Sequence, residues 1–166
     1  MTFEPVLLTA ADAMDMVALQ QEMLDALPNT RWYFPSSVEE YADKAAKGFA
    51  LGLRENGRLV ALHIAIPAGM DEHSYAEILG HDEANTLDFQ DIIVSVTHRR
   101  RGIHSFFLAL QEQEARRKGL RAIYATVDPE NEPSLRAFLK AGYVVVDQRE
   151  AYDGRPRCFL QLDLRG

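Results

Sequence analysis

A basic loop in the middle of the chain contains the residues whose types and spacing point most directly to chemistry. Residues 97–104 include three consecutive arginines followed by Gly102, and they separate an apolar run at 92–96 from an amphipathic run at 103–118. The first run is typical of a strand and the second of a helix. Backbone N–H groups, a helix N-terminus and guanidinium groups all bind phosphate well. The loop therefore predicts a site for a phosphorylated ligand.

The charge distribution favours a compact anionic ligand over a nucleic acid. The 166 residues carry a formal charge of −7, whereas residues 99–121 alone carry +5 and the remainder −12. Three arginines on an acidic protein are a poor footprint for a phosphate backbone, so we expect no nucleic-acid partner. The acidic remainder could favour a cationic second substrate such as an amine, although an ordinary soluble surface is the commoner explanation.

Length and composition indicate one soluble domain over residues 1–166 with a single sizeable core. Charged residues interrupt every apolar run before it reaches the roughly 18 residues that a membrane span needs. Residues 1–5 show no signal-peptide pattern. Cys158 is the only cysteine, which excludes an intrachain disulfide and fits a reducing compartment. We therefore expect a cytoplasmic protein with no membrane partner.

The elements that must position the loop alternate between extended and helical patterns. Strands are predicted at residues 6–9, 49–54, 59–66, 87–96, 122–127, 143–148 and 157–164, with a tight hairpin at Asn56-Gly57. Helices are predicted from residue 9 or 12 to 27, from 37 to 48, from 103 to 118 and from 131 to 140, with a short one near 75–79. This order predicts a mixed α/β fold whose sheet has antiparallel and parallel parts.

Two motifs within this order resemble those of the GNAT superfamily of acyl-CoA-dependent N-acetyltransferases. Residues 99–104 follow the family pattern Gln/Arg-x-x-Gly-x-Gly/Ala after a strand, except at the last position. Residues 131–143 follow the pattern Asn-x-x-Ala/Ser, followed by Tyr and by Gly-Phe, with Phe138 at the Tyr position. The resemblance covers the whole chain. It implies a six- to seven-stranded, mostly antiparallel sheet with a central parallel βαβ unit and flanking helices, and transfer of an acetyl group from acetyl-CoA to a primary amine.

The resemblance also implies which residues hold acetyl-CoA. The backbone of the strand at Val94 and Val96 would pair with the pantetheine arm, and nearby N–H groups would polarise the thioester carbonyl. Asn131 and Ser134 would contact the CoA arm. The pyrophosphate would lie against the loop and the first helical turn, at Arg99, Arg101, Gly102, Ile103, His104 and Ser105.

Two positions depart from the family pattern. His104 replaces the last small residue of the loop, where its imidazole could crowd the phosphates, bind them or point to solvent. Phe138 replaces a tyrosine that often protonates the departing CoA thiolate, and phenylalanine has no proton to donate. Because a thiolate is a tolerable leaving group, transfer could proceed without that acid. Water or Tyr143 could also supply the proton, although Tyr143 is better explained as a core residue.

The family frequently uses an acid on the strand before the loop as general base. Asp88 matches the commonest acidic position and is the predicted base. Asp91 lies on the opposite face of the strand and is the weaker candidate. Each carboxylate is also explained as a solvated group at the end of a strand.

Several alternatives stay open. A non-catalytic acyl-CoA-binding module is the alternative function, because Phe138 could mark the loss of the acid. The aromatic cluster Trp32, Tyr33 and Phe34 could line the acceptor pocket, pack in the core or form a dimer contact, so a homodimer is possible. Histidine and cysteine spacing predicts no metal site. The acceptor, a small-molecule or peptide amine, is not identified by any motif.

Overall fold

The computed structural model describes residues 3–70, 73–151 and 154–165. Its strands are β1 (Val6–Leu7), β2 (Ala50–Glu55), β3 (Arg58–Pro67), β4 (Thr86–Val94), β5 (Ala122–Val127), β6 (Val144–Ala151) and β7 (Arg155–Asp163). Its helices are α1 (Ala13–Ala26), α2 (Val38–Ala46), α3 (Tyr75–Ile78), α4 (Ile103–Arg117) and α5 (Glu132–Lys140). These bounds confirm the predicted order of elements.

The strands form one sheet with the hydrogen-bonded order β1-β2-β3-β4-β5-β7-β6. β4 and β5 are parallel, and α4 lies in the connection between them. The pairs β1-β2, β2-β3, β5-β7 and β6-β7 are antiparallel. The predicted mixed α/β fold, with its mostly antiparallel sheet, parallel βαβ unit and flanking helices, is therefore confirmed.

The chain divides into two compact units. Unit 1 consists of Met1–Ile64 and Asp91–His104, and unit 2 of Ala65–Gln90 and Ser105–Gly166. The basic loop therefore belongs to unit 1, and the segment that begins at Asn131 belongs to unit 2. The single domain over residues 1–166 stays a prediction.

Local signals explain the elements of unit 1. Asn56 and Gly57 both have positive φ, 52° and 79°, which is the conformation that a two-residue hairpin between β2 and β3 requires. The Ser37 hydroxyl accepts a hydrogen bond from the Glu40 amide at 3.1 Å, and the Glu40 carboxylate accepts one from the Ser37 amide at 3.0 Å. This reciprocal capping box begins α2 at the predicted place. The fully buried Met16 and Tyr41 bring α1 and α2 into the core of this unit.

Unit 2 has its own apolar core beside β5. Tyr75 of α3 packs edge to face on Phe159 of β7, with ring centroids 6.0 Å apart. Ala76, Ala122 and Tyr124 complete this cluster. α3 confirms the short helix predicted near residues 75–79, and its buried residues Tyr75 and Ala76 anchor it in this cluster.

Three local expectations need correction or fall outside the description. β4 ends at Val94 rather than at residue 96, because Val96 begins a 3-10 turn, Val96–His98. The amphipathic pattern of residues 103–118 predicts that Phe106 and Leu110 are buried, but on α4 both are half-buried, while Leu108 is 2% exposed. The sequence Tyr152-Asp153-Gly154 predicts a turn between the last two strands, and residues 152 and 153 of it lie outside the described residues.

Candidate functional site

The basic loop of unit 1 is exposed on the surface of that unit. Arg99, Arg100 and Arg101 are all exposed. Arg100 and Gly102 have positive φ, 61° and 79°, so the backbone turns twice in the left-handed region before α4 begins. A Cβ placed on Gly102 would meet no described atom within 4 Å. Ile103 is 3% exposed and anchors the start of the helix. The loop thus combines three exposed positive charges, open space and a helix N-terminus, which suits a polyanion such as a pyrophosphate.

A network behind the loop fixes the 3-10 turn that precedes it. The Val96 amide donates to Glu22 Oε2 at 2.9 Å, and Arg58 Nη2 donates to Glu22 Oε1 at 2.6 Å and to Ser95 Oγ at 3.0 Å. Burial opposes ionisation of Glu22, yet hydrogen bonds from Ser95 and Val96, together with the charge of Arg58, lower its pKa. The Val96 N–H is therefore occupied, whereas the sequence led us to expect it near the thioester carbonyl. This contact joins residues far apart in the chain, and no local pattern signals it.

His98 completes the 3-10 turn. Its Nε2 shares a hydrogen bond with Glu55 Oε2, and its Nδ1 shares one of 2.8 Å with Thr97 Oγ1. His98 is 8% exposed, so the ring is held against the end of β2. No sequence pattern indicates a role for this histidine, and its contacts give it a structural role.

His104, at the second position of α4, is half-buried, so the alternative in which its side chain points freely into solvent is wrong. Burial lowers the pKa of its imidazole to about 4. At neutral pH the ring is therefore uncharged. It can offer a hydrogen bond to a phosphate but no positive charge. Ser105, the next position, is exposed on the first turn of α4.

Asp91 of β4 lies at the end of a chain of buried hydroxyl groups in unit 1. The carboxylate is 8% exposed, and the Tyr33 hydroxyl donates to its Oδ1 at 2.6 Å. The hydroxyls of Tyr33 and Tyr41 are 3.2 Å apart, and Tyr41 donates to Gln20 Oε1 at 2.7 Å. Burial raises the pKa of the Asp91 carboxyl, against the opposing effect of the Tyr33 hydrogen bond. The solvated carboxylate considered from the sequence is therefore wrong for Asp91.

Asp88, the predicted base, lies in unit 2 and is 1% exposed. Its Oδ2 accepts a hydrogen bond from the Tyr75 amide at 3.0 Å, and Tyr75 is the first residue of α3. A carboxylate at the first turn of a helix satisfies an otherwise unpaired N–H. Asp88 thus holds α3 onto β4, and it too is buried rather than solvated. Its role as base stays a prediction.

The Asn131 segment of unit 2 rests on a buried ion pair. Arg157 Nη1 lies 3.1 Å from Asp128 Oδ2, and the two side chains are 3% and 5% exposed. The other Asp128 oxygen accepts from the Glu130 amide, and the Asp128 carbonyl accepts from the Asn131 amide, each at 2.9 Å. The Asn131 side chain then caps α5 by accepting from the Ser134 amide at 3.5 Å. Asn131 and Ser134 are therefore brought together at one helix start, as their spacing predicts.

Phe138 of α5 is 5% exposed and lies between two other rings. Its ring is edge to face with Phe89 at a centroid distance of 6.2 Å and with Tyr143 at 5.0 Å. Tyr143 is 2% exposed, as expected for a core residue, and its hydroxyl has no hydrogen-bond partner within the described residues. Burial and the charge of Glu112 raise the pKa of this phenol. Phe138 therefore fills the tyrosine position of the motif with a packed apolar ring.

Within residues 3–70, 73–151 and 154–165, no group of three or more His, Cys, Asp or Glu is arranged to hold a metal ion. In the same described part of the chain, no helix has the length and apolar character needed to cross a membrane.

The fold is that of the acyltransferase class, and comparison with known proteins gives the family. A family model described as the acetyltransferase (GNAT) family matches residues 15–143. The chain belongs to the GNAT acetyltransferase family and is an acyltransferase of that type. No curated protein matches the sequence.

Solved structures show the same fold at low sequence identity. An N-acetyltransferase from Staphylococcus aureus Mu50 is 18% identical, with 99% of this chain and 100% of that chain covered and a TM-score of 0.73. A candidate acetyltransferase from Salmonella typhimurium, solved with its cofactor acetyl-CoA, is 18% identical over 100% and 96% of the chains with a TM-score of 0.71. The ribosomal-protein-S18-alanine N-acetyltransferase from Escherichia coli is 16% identical over 98% and 94%, also at 0.71. These similarities concern the fold.

Proposed function

We propose that the protein transfers an acetyl group from acetyl-CoA to a primary amine of a small molecule or peptide. The observation that carries this proposal is the loop at Arg99–Gly102, with its exposed guanidinium groups, its open face at Gly102 and the start of α4 directly after it. This arrangement fits the pyrophosphate of CoA, since backbone N–H groups and positive charge meet at one helix end.

The residues proposed to contact acetyl-CoA are described for each unit by itself. In unit 1, Arg99 and Arg101 supply charge, the N–H groups at Gly102 and Ile103 face the phosphates, and neutral His104 supplies a hydrogen bond. Val94 supplies backbone groups for the pantetheine arm, whereas the Val96 amide donates its hydrogen bond to Glu22. In unit 2, the positions proposed to contact the cofactor are Ser105, Asn131 and Ser134.

The proposed reaction is direct attack. The acceptor ammonium loses one proton, and the neutral nitrogen forms a bond to the thioester carbonyl carbon. The C–S bond then breaks, and the second proton from nitrogen neutralises the CoA thiolate. The thiolate leaves without help from residue 138, because phenylalanine donates no proton and a thiol titrates near pH 8.5 in water. A cytoplasmic location and a homodimer stay proposals; the lone, buried Cys158 supports the first.

Steady-state release of the CoA thiol tests the proposal. A panel of amino acids, polyamines and peptides with free N-termini is offered with acetyl-CoA, and at least one amine is expected to give turnover. Cys158 is 0% exposed, so the enzyme itself contributes little thiol signal. Replacing Arg99 and Arg101 by glutamine should raise KM for acetyl-CoA about tenfold or more, since each removes a charge-assisted contact. Arg117→Gln, at the far end of α4, is the matched control and should leave KM unchanged.

The outcomes separate the two functions that the sequence left open. Binding of acetyl-CoA by calorimetry with no thiol release on any acceptor would favour the non-catalytic module. Absence of acetyl-CoA binding would contradict both functions and the assignment of the loop.

A further inference from the structure

Four polar side chains from separate segments of unit 1 form one continuous line. Asp91 is on β4, Tyr33 follows the 3-10 turn Thr30–Trp32, Tyr41 is on α2 and Gln20 is on α1. Successive oxygen atoms along this line are 2.6, 3.2 and 2.7 Å apart. Gln20 and Tyr41 are 5% and 0% exposed. We call Tyr33, Tyr41 and Gln20 the tyrosine relay.

The far end of the relay has a fixed direction. The Ser36 amide donates to Gln20 Oε1 at 2.8 Å, and Gln20 Nε2 donates to the Ser36 carbonyl at 2.9 Å. This pair of bonds sets the amide orientation, so Gln20 presents an acceptor to Tyr41. A phenol has one hydrogen to donate. Tyr41 therefore gives its hydrogen to Gln20 and can only accept from Tyr33.

The number of hydrogens available along these contacts favours a protonated Asp91. When Asp91 is ionised, the single hydrogen of Tyr33 is drawn to the carboxylate, and no hydrogen lies between the two tyrosine oxygens. When Asp91 is protonated, its hydrogen goes to Tyr33, and the Tyr33 hydrogen turns toward Tyr41. Three hydrogens then serve three contacts. The protonated state therefore has one more hydrogen bond than the ionised state. This bond stabilises it, because buried polar groups are costly when unpaired.

We propose that the tyrosine relay stabilises the protonated form of Asp91 and that Asp91, rather than Asp88, takes the first proton from the acceptor amine. This inference rests on the proposed function. The ammonium N–H bond breaks as the Asp91 O–H bond forms, the Tyr33 hydrogen swings to Tyr41, and the nitrogen lone pair becomes free to attack the thioester. Asp91 returns its proton to water after each turnover. Tyr33, Tyr41 and Gln20 are positioning residues.

The surrounding charges are compatible with this role. Burial raises the pKa of Asp91, Glu40 of α2 raises it further, and Lys44 of the same helix lowers it. α1 faces the relay with the uncharged Gln20. Burial also raises the pKa of both tyrosines, so their hydroxyls keep their hydrogens at neutral pH. Asp88, in contrast, accepts from the Tyr75 backbone amide, which can only donate and so favours the ionised carboxylate.

The relay predicts opposite shifts for two similar substitutions. Tyr33→Phe removes the donor to the carboxylate, which destabilises ionised Asp91 and should raise its pKa by roughly half a unit or more. Tyr41→Phe removes the acceptor that completes the chain in the protonated state, and should lower that pKa by a similar amount. The measurement is a titration of the Asp91 side-chain carboxyl by carbon NMR. Tyr124→Phe, in unit 2, is the matched control and should leave the titration unchanged.

Activity measurements then test the catalytic step separately. The acidic limb of the kcat/KM profile should move to higher pH in Tyr33→Phe and to lower pH in Tyr41→Phe. Asp91→Asn should lose roughly 10²-fold or more in kcat while KM for acetyl-CoA stays the same. Asn can still donate to Tyr33, and circular dichroism should confirm a native fold.

Each result has a distinct meaning. Shifts of the same sign, or no shift in Tyr41→Phe, would overturn the relay. Native-like turnover by Asp91→Asn would overturn Asp91 as the proton acceptor. If the NMR shifts appear but the wild-type protein turns over no amine, the relay stands and the proposed function fails.

Discussion

Phe138 and Tyr143 pack edge to face, with ring centroids 5.0 Å apart and ring planes at 76°. Relative to the family motif their ring types are exchanged: a phenylalanine stands where tyrosine is common, and a tyrosine stands where phenylalanine is common. The pair therefore carries its hydroxyl at position 143, whereas in the family motif the hydroxyl is at the position of Phe138. Because Tyr143 is 2% exposed and lies near Glu112, its hydroxyl belongs to the interior of unit 2.

Phe138→Tyr should keep or raise activity. The substitution preserves the ring and restores a group able to protonate the CoA thiolate, so kcat should be unchanged or rise, by at most roughly 10²-fold. Steady-state thiol release with the best amine measures the effect. A large loss of kcat in a folded variant would show that no hydroxyl fits at this position.

Tyr143→Phe should stabilise the protein without reducing kcat. The Tyr143 hydroxyl is buried and has no hydrogen-bond partner within the described residues, and such a group costs about 1–3 kcal/mol. Its removal should raise the free energy of unfolding by about 1 kcal/mol, measured in urea. If kcat instead falls strongly while stability rises, Tyr143 is the proton donor and the direct departure of thiolate is wrong.

Local patterns were sufficient wherever neighbouring residues determine the geometry. The hairpin at Asn56-Gly57, the capping box of Ser37 and Glu40, and the helix start at Asn131 all depend on contacts within a few residues. These signals placed the β2-β3 hairpin and the starts of α2 and α5 correctly. Alternation along the strand also assigned Asp88 and Asp91 to opposite faces of β4.

The partners of those acids could not be predicted in the same way. Tyr33 and Asp91 are 58 positions apart in the chain, and Glu22 and the Val96 amide are 74 apart. Alternation along a strand assigns a face but not the side chains that cover it. The sequence therefore favoured Asp88 by its motif position, whereas the long-range contact with Tyr33, which joins the Asp91 carboxylate to Tyr41 and Gln20, is visible only in the structure.

Gly102→Asp should abolish CoA binding, and Gly102→Asn should not. Aspartate and asparagine adopt a positive φ more readily than most other residues with a side chain, and a Cβ at position 102 has open space. Only aspartate adds a negative charge beside the phosphates. Calorimetry should show a loss of affinity of at least about tenfold for aspartate relative to asparagine, with similar thermal unfolding of both. Equal affinities of the two variants for CoA would show that the pyrophosphate does not bind at this loop.

The buried imidazole of His63 should make the protein acid-sensitive. His63 is 1% exposed on β3, and burial lowers its pKa to about 4. An unfolded histidine titrates near pH 6.5, so between pH 6.5 and 4 the unfolded chain binds a proton that the folded chain does not. The free energy of unfolding therefore falls as pH decreases through this window, by up to about 3 kcal/mol from this residue. Urea unfolding at a series of pH values measures the slope.

His63→Leu should flatten this slope without removing it. His104, whose pKa is also lowered to about 4 by burial, contributes in the same direction and remains in the variant. The control is His73→Leu, because that side chain is 65% exposed and its removal leaves both buried rings in place. The control should keep the wild-type slope. If His63→Leu also keeps it, the protonated imidazole of His63 is accommodated in the folded protein, and the acid sensitivity arises from other groups.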